Sequence, residues 1–251
     1  MNEWDSYCGV RWETGSNAGR HCSRVRMNPS ELIEHLEVDH GMSVEEARDY
    51  LTDRTRRAAL SVLACGRDRM KNWSFDTFPA ADIAGRRALK VAREWQDTDS
   101  RTLYIYGPVG TGKTGLAYSI ARESIERWPK DPVWFHNVRA LLAEQRARLS
   151  SGQSVDIEEI LEADGTLLVL DDLGAERPTD WALETIAQIV EARHVEGGCT
   201  VVTTNYAPSD LAQRLGRDDP VIGQRIVSRL LEDAMKIELK RADLRVRGKA
   251  A

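Results

Sequence analysis

At 251 residues the chain has the length of one large domain with a small appendage. Hydrophobic residues make up 41% and charged residues 30%, which supports a packed core and excludes wholesale disorder. A net charge of −5 excludes nucleic-acid binding through overall charge and leaves only local patches for it. The longest aliphatic run, Leu167-Leu168-Val169-Leu170, is far short of the roughly 18 residues of a membrane span. No basic-then-apolar leader opens the chain, so a cytoplasmic protein with no membrane partner is expected.

Residues 1–41 are rich in Gly, Cys and His. Cys8, Cys22, His35 and His40 form C-x13-C-x12-H-x4-H, whose last two gaps match a two-Cys two-His zinc module. The first gap is longer than usual, a hairpin closed at Gly15-Ser16-Asn17 can span it, and His21 is an alternative ligand to Cys22. The bland alternative is a buried free thiol and surface histidines. Asn28-Pro29-Ser30-Glu31 starts a helix and Gly41 ends it. On an ideal helix His35 and His40 lie roughly 140° apart, so the last turn must unwind if both bind one zinc. So small a region has little core, and metal would supply its folding energy.

Ser43 and Glu46 have capping-box spacing and open a predicted helix over 43–71, which Gly66 can interrupt. Its basic run (Arg54, Arg56, Arg57, Arg67, Arg69, Lys71) is either a solvated face or a DNA contact. From Trp73 onward, short apolar runs alternate with amphipathic stretches. Strands are predicted at Leu103–Tyr106, Val133–Phe135, Thr166–Leu170, Thr200–Thr203 and Ile237–Leu239, and helices near 114–128, 138–149, 181–194 and 221–231. That alternation predicts an α/β three-layer sandwich with a five-stranded parallel sheet. The expected division is 1–42 for the zinc and partner region, 43–72 for a helical linker and 73–251 for the catalytic domain.

Gly107-Pro108-Val109-Gly110-Thr111-Gly112-Lys113-Thr114-Gly115 contains G-x-x-x-x-G-K-[ST], placed after an apolar strand and before a helix. Glycines let backbone N–H groups point inward around a polyphosphate, and the helix adds its positive end. Lys113 would reach the outer phosphates of ATP, and Thr114 would ligate magnesium. Asp171 and Asp172 end the run Leu167–Leu170, where a magnesium ligand and a water-activating base belong. Asn205 ends the next strand, placed either to orient the attacking water or simply to begin a turn. Arg225 and Arg229, four apart on one helix face, are either solvated or poised to reach a neighbouring subunit's nucleotide.

Together these residues resemble the AAA+ ATPase domain of bacterial and phage replicative-helicase loaders, the DnaC/DnaI type, and of the similar IstB transposition helpers. The resemblance covers about 73–245. It rests on Gly107–Thr114, Leu168–Glu176, Thr203-Thr204-Asn205, Arg225–Leu230, Ala242–Arg245 and Phe75–Phe78. It implies Walker A at Lys113 and Thr114, Walker B at Asp171 and Asp172, sensor I at Asn205, an arginine finger at Arg229 with Arg225 beside it, and sensor II at Arg245. It further implies a magnesium-dependent ATPase with slow, regulated turnover that associates with itself, with single-stranded DNA and with a replicative helicase. Arg139, Arg146 and Arg148 are candidates for the DNA contact. The pattern departs from many AAA+ proteins in having Asp172 where Glu is common, and in ending six residues after Arg245, too soon for a full helical lid. Two rival functions stay open, an IstB-like transposition helper and a zinc-dependent adaptor for which ATP is a conformational switch.

Overall fold

The structure, a computed structural model, describes residues 29–64, 70–129, 131–151 and 166–247. They form two compact units, one reaching to Ala58 and the other beginning at Ala59.

In the first unit, helix α1 (Pro29–His40) is followed by α2 (Val44–Ala64), which continues into the second unit. Leu32 and Leu36 of α1 are buried against Ala47 of α2. The turn between them follows from two local signals. Gly41 takes φ +69° and its N–H bonds the Glu37 carbonyl at 3.0 Å, a left-handed helix end. Ser43 and Glu46 then satisfy each other's free donors reciprocally, at 2.7 and 3.2 Å. α2 is described to Ala64, residues 65–69 of the predicted helix lie outside the described residues, and Met70 begins a tight turn.

The second unit is built on a five-stranded parallel sheet of order β2-β3-β4-β1-β5. Its strands are β1 (Thr102–Tyr106), β2 (Val133–Asn137), β3 (Leu167–Leu173), β4 (Cys199–Thr204) and β5 (Ala234–Glu238). Side chains alternate between its two faces, as the period of two requires. Leu103, Ile105, Val169, Val201 and Ile237 pack under α3 (Ile83–Trp95) and α4 (Lys113–Arg127). Tyr104, Leu168, Leu170 and Val202 face α5 (Val138–Ser150), α6 (Asp180–Val195), α7 (Pro208–Leu215) and α8 (Pro220–Leu231). A short α9 (Leu244–Arg247) follows β5. This is the predicted three-layer sandwich.

At the starts of β3 and β4, the buried Arg193 donates to the Thr166 and Cys199 carbonyls at 2.9 and 2.7 Å, and burial pushes its pKa down to about 10. Because all strands are parallel, the loops after β1, β2, β3 and β4 meet at one edge, where α/β folds bind ligands. No helix among the described residues is long and apolar enough to cross a membrane.

Candidate nucleotide site

The loop from β1 to α4 can exist only with glycine at its corners. A Cβ on Gly107 (φ +144°) would lie 2.5 Å from the Leu239 carbonyl oxygen. Gly112, the residue capping α4, takes φ +93° and makes no side-chain cap bond. The first intrahelical bond there is Leu116 N–H to Gly112 C=O at 2.9 Å, so the N–H groups of Lys113, Thr114 and Gly115 precede the helical ladder. That is the geometry of an anion site. Lys113 is buried, and its Nζ donates to the Gly107 and Pro108 carbonyls at 2.8 Å each. Burial pushes its pKa down, Asp172 and Asp171 pull it up, and Arg245 opposes them.

Across the sheet, Asp171 is buried and accepts a 2.7 Å bond from the Thr203 hydroxyl. Burial raises its pKa, while bonds from Thr203, Thr114 and Asn137 pull it back. The Thr203 hydroxyl also accepts the Asp172 N–H at 2.9 Å, so one side chain on β4 orients both carboxylate residues. The β3–β4 register shifts between Leu170 and Leu173, and within that irregularity Asp172 takes φ +63°. Asp and Asn tolerate this left-handed backbone better than most residues. That gives a physical reason for Asp at this position. Asn205 Nδ2 approaches Asp172 Oδ1 at 3.4 Å.

Lys113, Thr114, Asp171, Asp172 and Asn205 therefore converge within one chain. Arg245 joins them at the margin. Its neighbour Leu244 bonds the Gly110 carbonyl at 2.9 Å, and its charge is felt at Lys113. Arg225 and Arg229 do not join them. Arg225 is exposed, whereas Arg229 pairs with Glu191 at 3.2 Å and Glu232 at 3.1 Å. Arg229 lines a cavity of about 140 Å³ with Arg101, His194 and Asp233, beside the starts of β1 and β4. The glycine loop leaves from the opposite end of β1, roughly one strand length (~16 Å for five residues) away.

Four side chains at this edge were given no role from sequence. Asn137 ends β2 opposite Asp171, whose pKa it lowers, and it caps α5 by accepting the Ala140 N–H at 3.3 Å. An Asn between a strand and a helix was its available signal. Thr203 stands in the Thr203-Thr204-Asn205 motif, where only Asn205 was given a role. Arg241 carries no local signal. Its Nε donates to the Thr111 carbonyl at 2.7 Å and its guanidinium lies 4.9 Å from the Phe78 ring centroid. Trp73 lies so close to α4 that a Cβ on Gly115 would sit 2.1 Å from its ring.

The expected zinc ligands are only partly visible. Cys8, Cys22 and the alternative His21 lie outside the described residues. His35 and His40 have ring centroids 5.1 Å apart, and α1 continues unbroken to His40. The His35 Nδ1 pairs with Asp39. Among the described residues no group of three or more His, Cys, Asp or Glu is placed to hold a metal. Of the basic residues, Arg56 and Arg57 both pair with Asp53, and Arg148 pairs with Glu144 at 3.2 Å. Arg146 lies over the Trp181 ring, and Arg139 is exposed.

Sheet order and the position of the glycine loop place the second unit among the AAA+ P-loop NTPases. The profile of the IstB-like ATP binding protein family matches residues 17–251, and the chain belongs to that family. It is 30% identical over 145 residues to the replicative helicase loader DnaI of Bacillus subtilis (strain 168), which is 55% of this chain but only 45% of that protein. An insertion-sequence ATP-binding protein of Geobacillus stearothermophilus is 26% identical over 188 residues, 73% of this chain and 70% of that protein. The crystal structure of the DnaC helicase loader superposes with a TM-score of 0.57 at 27% identity, over 68% of this chain and 99% of that one.

Proposed function

We propose that the chain is a magnesium-dependent ATPase that loads a replicative DNA helicase, associating with itself and with single-stranded DNA in its ATP-bound form. The convergence of Lys113, Thr114, Asp171, Asp172 and Asn205, in a fold similar to two helicase loaders, carries this reading. Lys113 holds the outer phosphates within the loop Gly107–Gly115. The Thr114 hydroxyl, near enough to lower the pKa of Asp171, and the Asp171 carboxylate form the hard oxygen pair suited to magnesium. When bound there, magnesium neutralises phosphate charge. Asp172 takes a proton from the attacking water and Asn205 orients that water. Arg229 reaches the nucleotide of a neighbouring subunit, Arg225 flanks it, and Arg245 contacts the phosphates from the carboxyl-terminal side. Arg139, Arg146 and Arg148 contact the DNA, and the setting is cytoplasmic.

The amino-terminal region, 1–42, grips the helicase and is joined by 43–72 to the ATPase region, 73–251. Zinc held by Cys8, Cys22, His35 and His40 folds it. The proximity of the two rings supports this, as does the His35–Asp39 pair, a common second layer behind a metal-bound imidazole. Purified protein is then expected to carry about one zinc per chain. Cys8→Ser with Cys22→Ser should lose that metal while ATP binding persists. Elemental analysis finding no zinc in protein prepared without chelator would refute the site.

The partner assignment is tested by binding full-length protein and its Lys113→Ala variant to the host's replicative helicase and to single-stranded DNA. Helicase binding should survive the substitution, because 1–72 holds no nucleotide element, whereas DNA binding should tighten with ATP only in the wild type. A second reading, a transposition helper, is favoured by the family match across 17–251 and the insertion-sequence relative. Capture of a transposase in place of the helicase would select it. A third, a zinc-dependent adaptor, predicts negligible ATP turnover with DNA present.

A further inference from the structure

The end of β3 and the residues after it, Asp172–Glu176, form a constrained turn. Asp172 and Gly174 are both left-handed, at φ +63° and +89°, and Ala175 N–H closes the turn on the Asp172 carbonyl at 3.2 Å. The Glu176 carboxylate folds back into the protein, almost wholly buried, and accepts the Gly174 N–H at 2.9 Å. Such a carboxylate needs a cationic neighbour. Arg214 of α7 supplies it. Its Nε donates to the Gly174 carbonyl at 3.0 Å, and its Nη2 to the Glu176 carbonyl at 3.1 Å. Its charge lowers the pKa of Glu176, which burial otherwise raises. A Cβ on Gly174 would meet Leu211 of the same helix at 2.8 Å, so α7 fixes the turn by both shape and hydrogen bonds.

α7 is in turn packed tightly on α8. A Cβ on Gly223 would lie 2.4 Å from the Ala212 carbonyl and 2.5 Å from the Gly216 nitrogen. Main chain meets main chain there, and the two helices can shift only together. α8 carries Arg225 and Arg229.

We propose that Arg214 is a positioning residue for ATP hydrolysis: its two-pronged grip on the Gly174 and Glu176 carbonyls holds Asp172 in its left-handed conformation and links that conformation to the placement of α8. A neighbouring subunit docking on α8 thereby acts on the water-activating group of this one. The inference rests on Asp172 being that group, as proposed above.

The test is hydrogen exchange of full-length Arg214→Gln, with ATP-analogue titration and turnover alongside. Two hydrogen bonds from the guanidinium to main-chain carbonyls are lost, so amides of 171–176 should exchange at least on the order of tenfold faster, with the phosphate-loop peptides unchanged. Turnover should fall on the order of tenfold while analogue affinity holds, and Arg214→Lys, keeping charge but not the fork, should lie between. The inference is overturned if exchange at 171–176 is unaltered, if it rises without loss of turnover, or if affinity falls in step with turnover. Should Arg214→Gln not fold, Arg214→Lys decides by the same criteria. Full turnover in Asp172→Asn would defeat the assignment of the base instead, and the exchange result would still say whether Arg214 holds the turn.

Discussion

Lys113→Ala is expected to weaken ATP binding by one to two orders of magnitude. The phosphates lose their ammonium donor and with it charge-assisted hydrogen bonds, each roughly 1.5–3 kcal/mol, or about 10- to 150-fold in affinity. Burial holds its pKa below the ordinary lysine value, and the charges of Asp172 and Asp171 oppose that shift. Asp172→Asn should behave differently. Asparagine fits the left-handed backbone and keeps the side-chain shape, so binding persists, while loss of the base should lower turnover about 10²- to 10⁴-fold. Titration with a fluorescent ATP analogue and a phosphate-release assay separate the two. Equal affinity in wild type and Lys113→Ala would remove the phosphate-loop assignment.

What the sequence disclosed, and what it hid, follows from how local each signal is. The glycine loop is contiguous and flanked by its strand and helix, so it could be read directly. The parallel sheet followed from alternating textures, although β5 was placed three residues late because Ile237 is the only fully buried residue of that strand. α3 was missed because its buried face is mostly small, with Gly85, Ala88 and Ala92, beneath an exposed run of Arg86, Arg87 and Lys90. α7, eight residues long, shows barely two turns of periodicity. Asn137, Thr203, Arg214 and Arg241 act on residues that only the fold brings near: Asn137 reaches Asp171 because β2 pairs with β3 in that register. The hydroxyl of Thr203 and the fork of Arg214 have no spacing rule, since their partners are a bulge and a turn.

Arg229→Ala is expected to bind ATP normally and turn it over on the order of 10³-fold more slowly, the scale of a missing arginine finger. The geometry accounts for the separation of effects. Arg229 sits at the far end of β1 from the glycine loop, so it contributes nothing to the site in its own chain. Its charge is occupied by Glu191 and by Glu232, which also pairs with His194 at 3.2 Å. These pairs are half-exposed and screened by salt, so a triphosphate can displace them. Mixing Arg229→Ala with Lys113→Ala should restore part of the activity, since one chain supplies a working loop and the other a working arginine. Arg225→Ala, measured alongside, separates the two candidates, because Arg225 is exposed on the same helix. Glu191→Gln with Glu232→Gln releases the arginine from its own chain and should raise turnover at protein concentrations where association is limiting. No rescue at any mixing ratio, in conditions where the chains demonstrably associate, would leave Arg229 as a surface ion pair and nothing more.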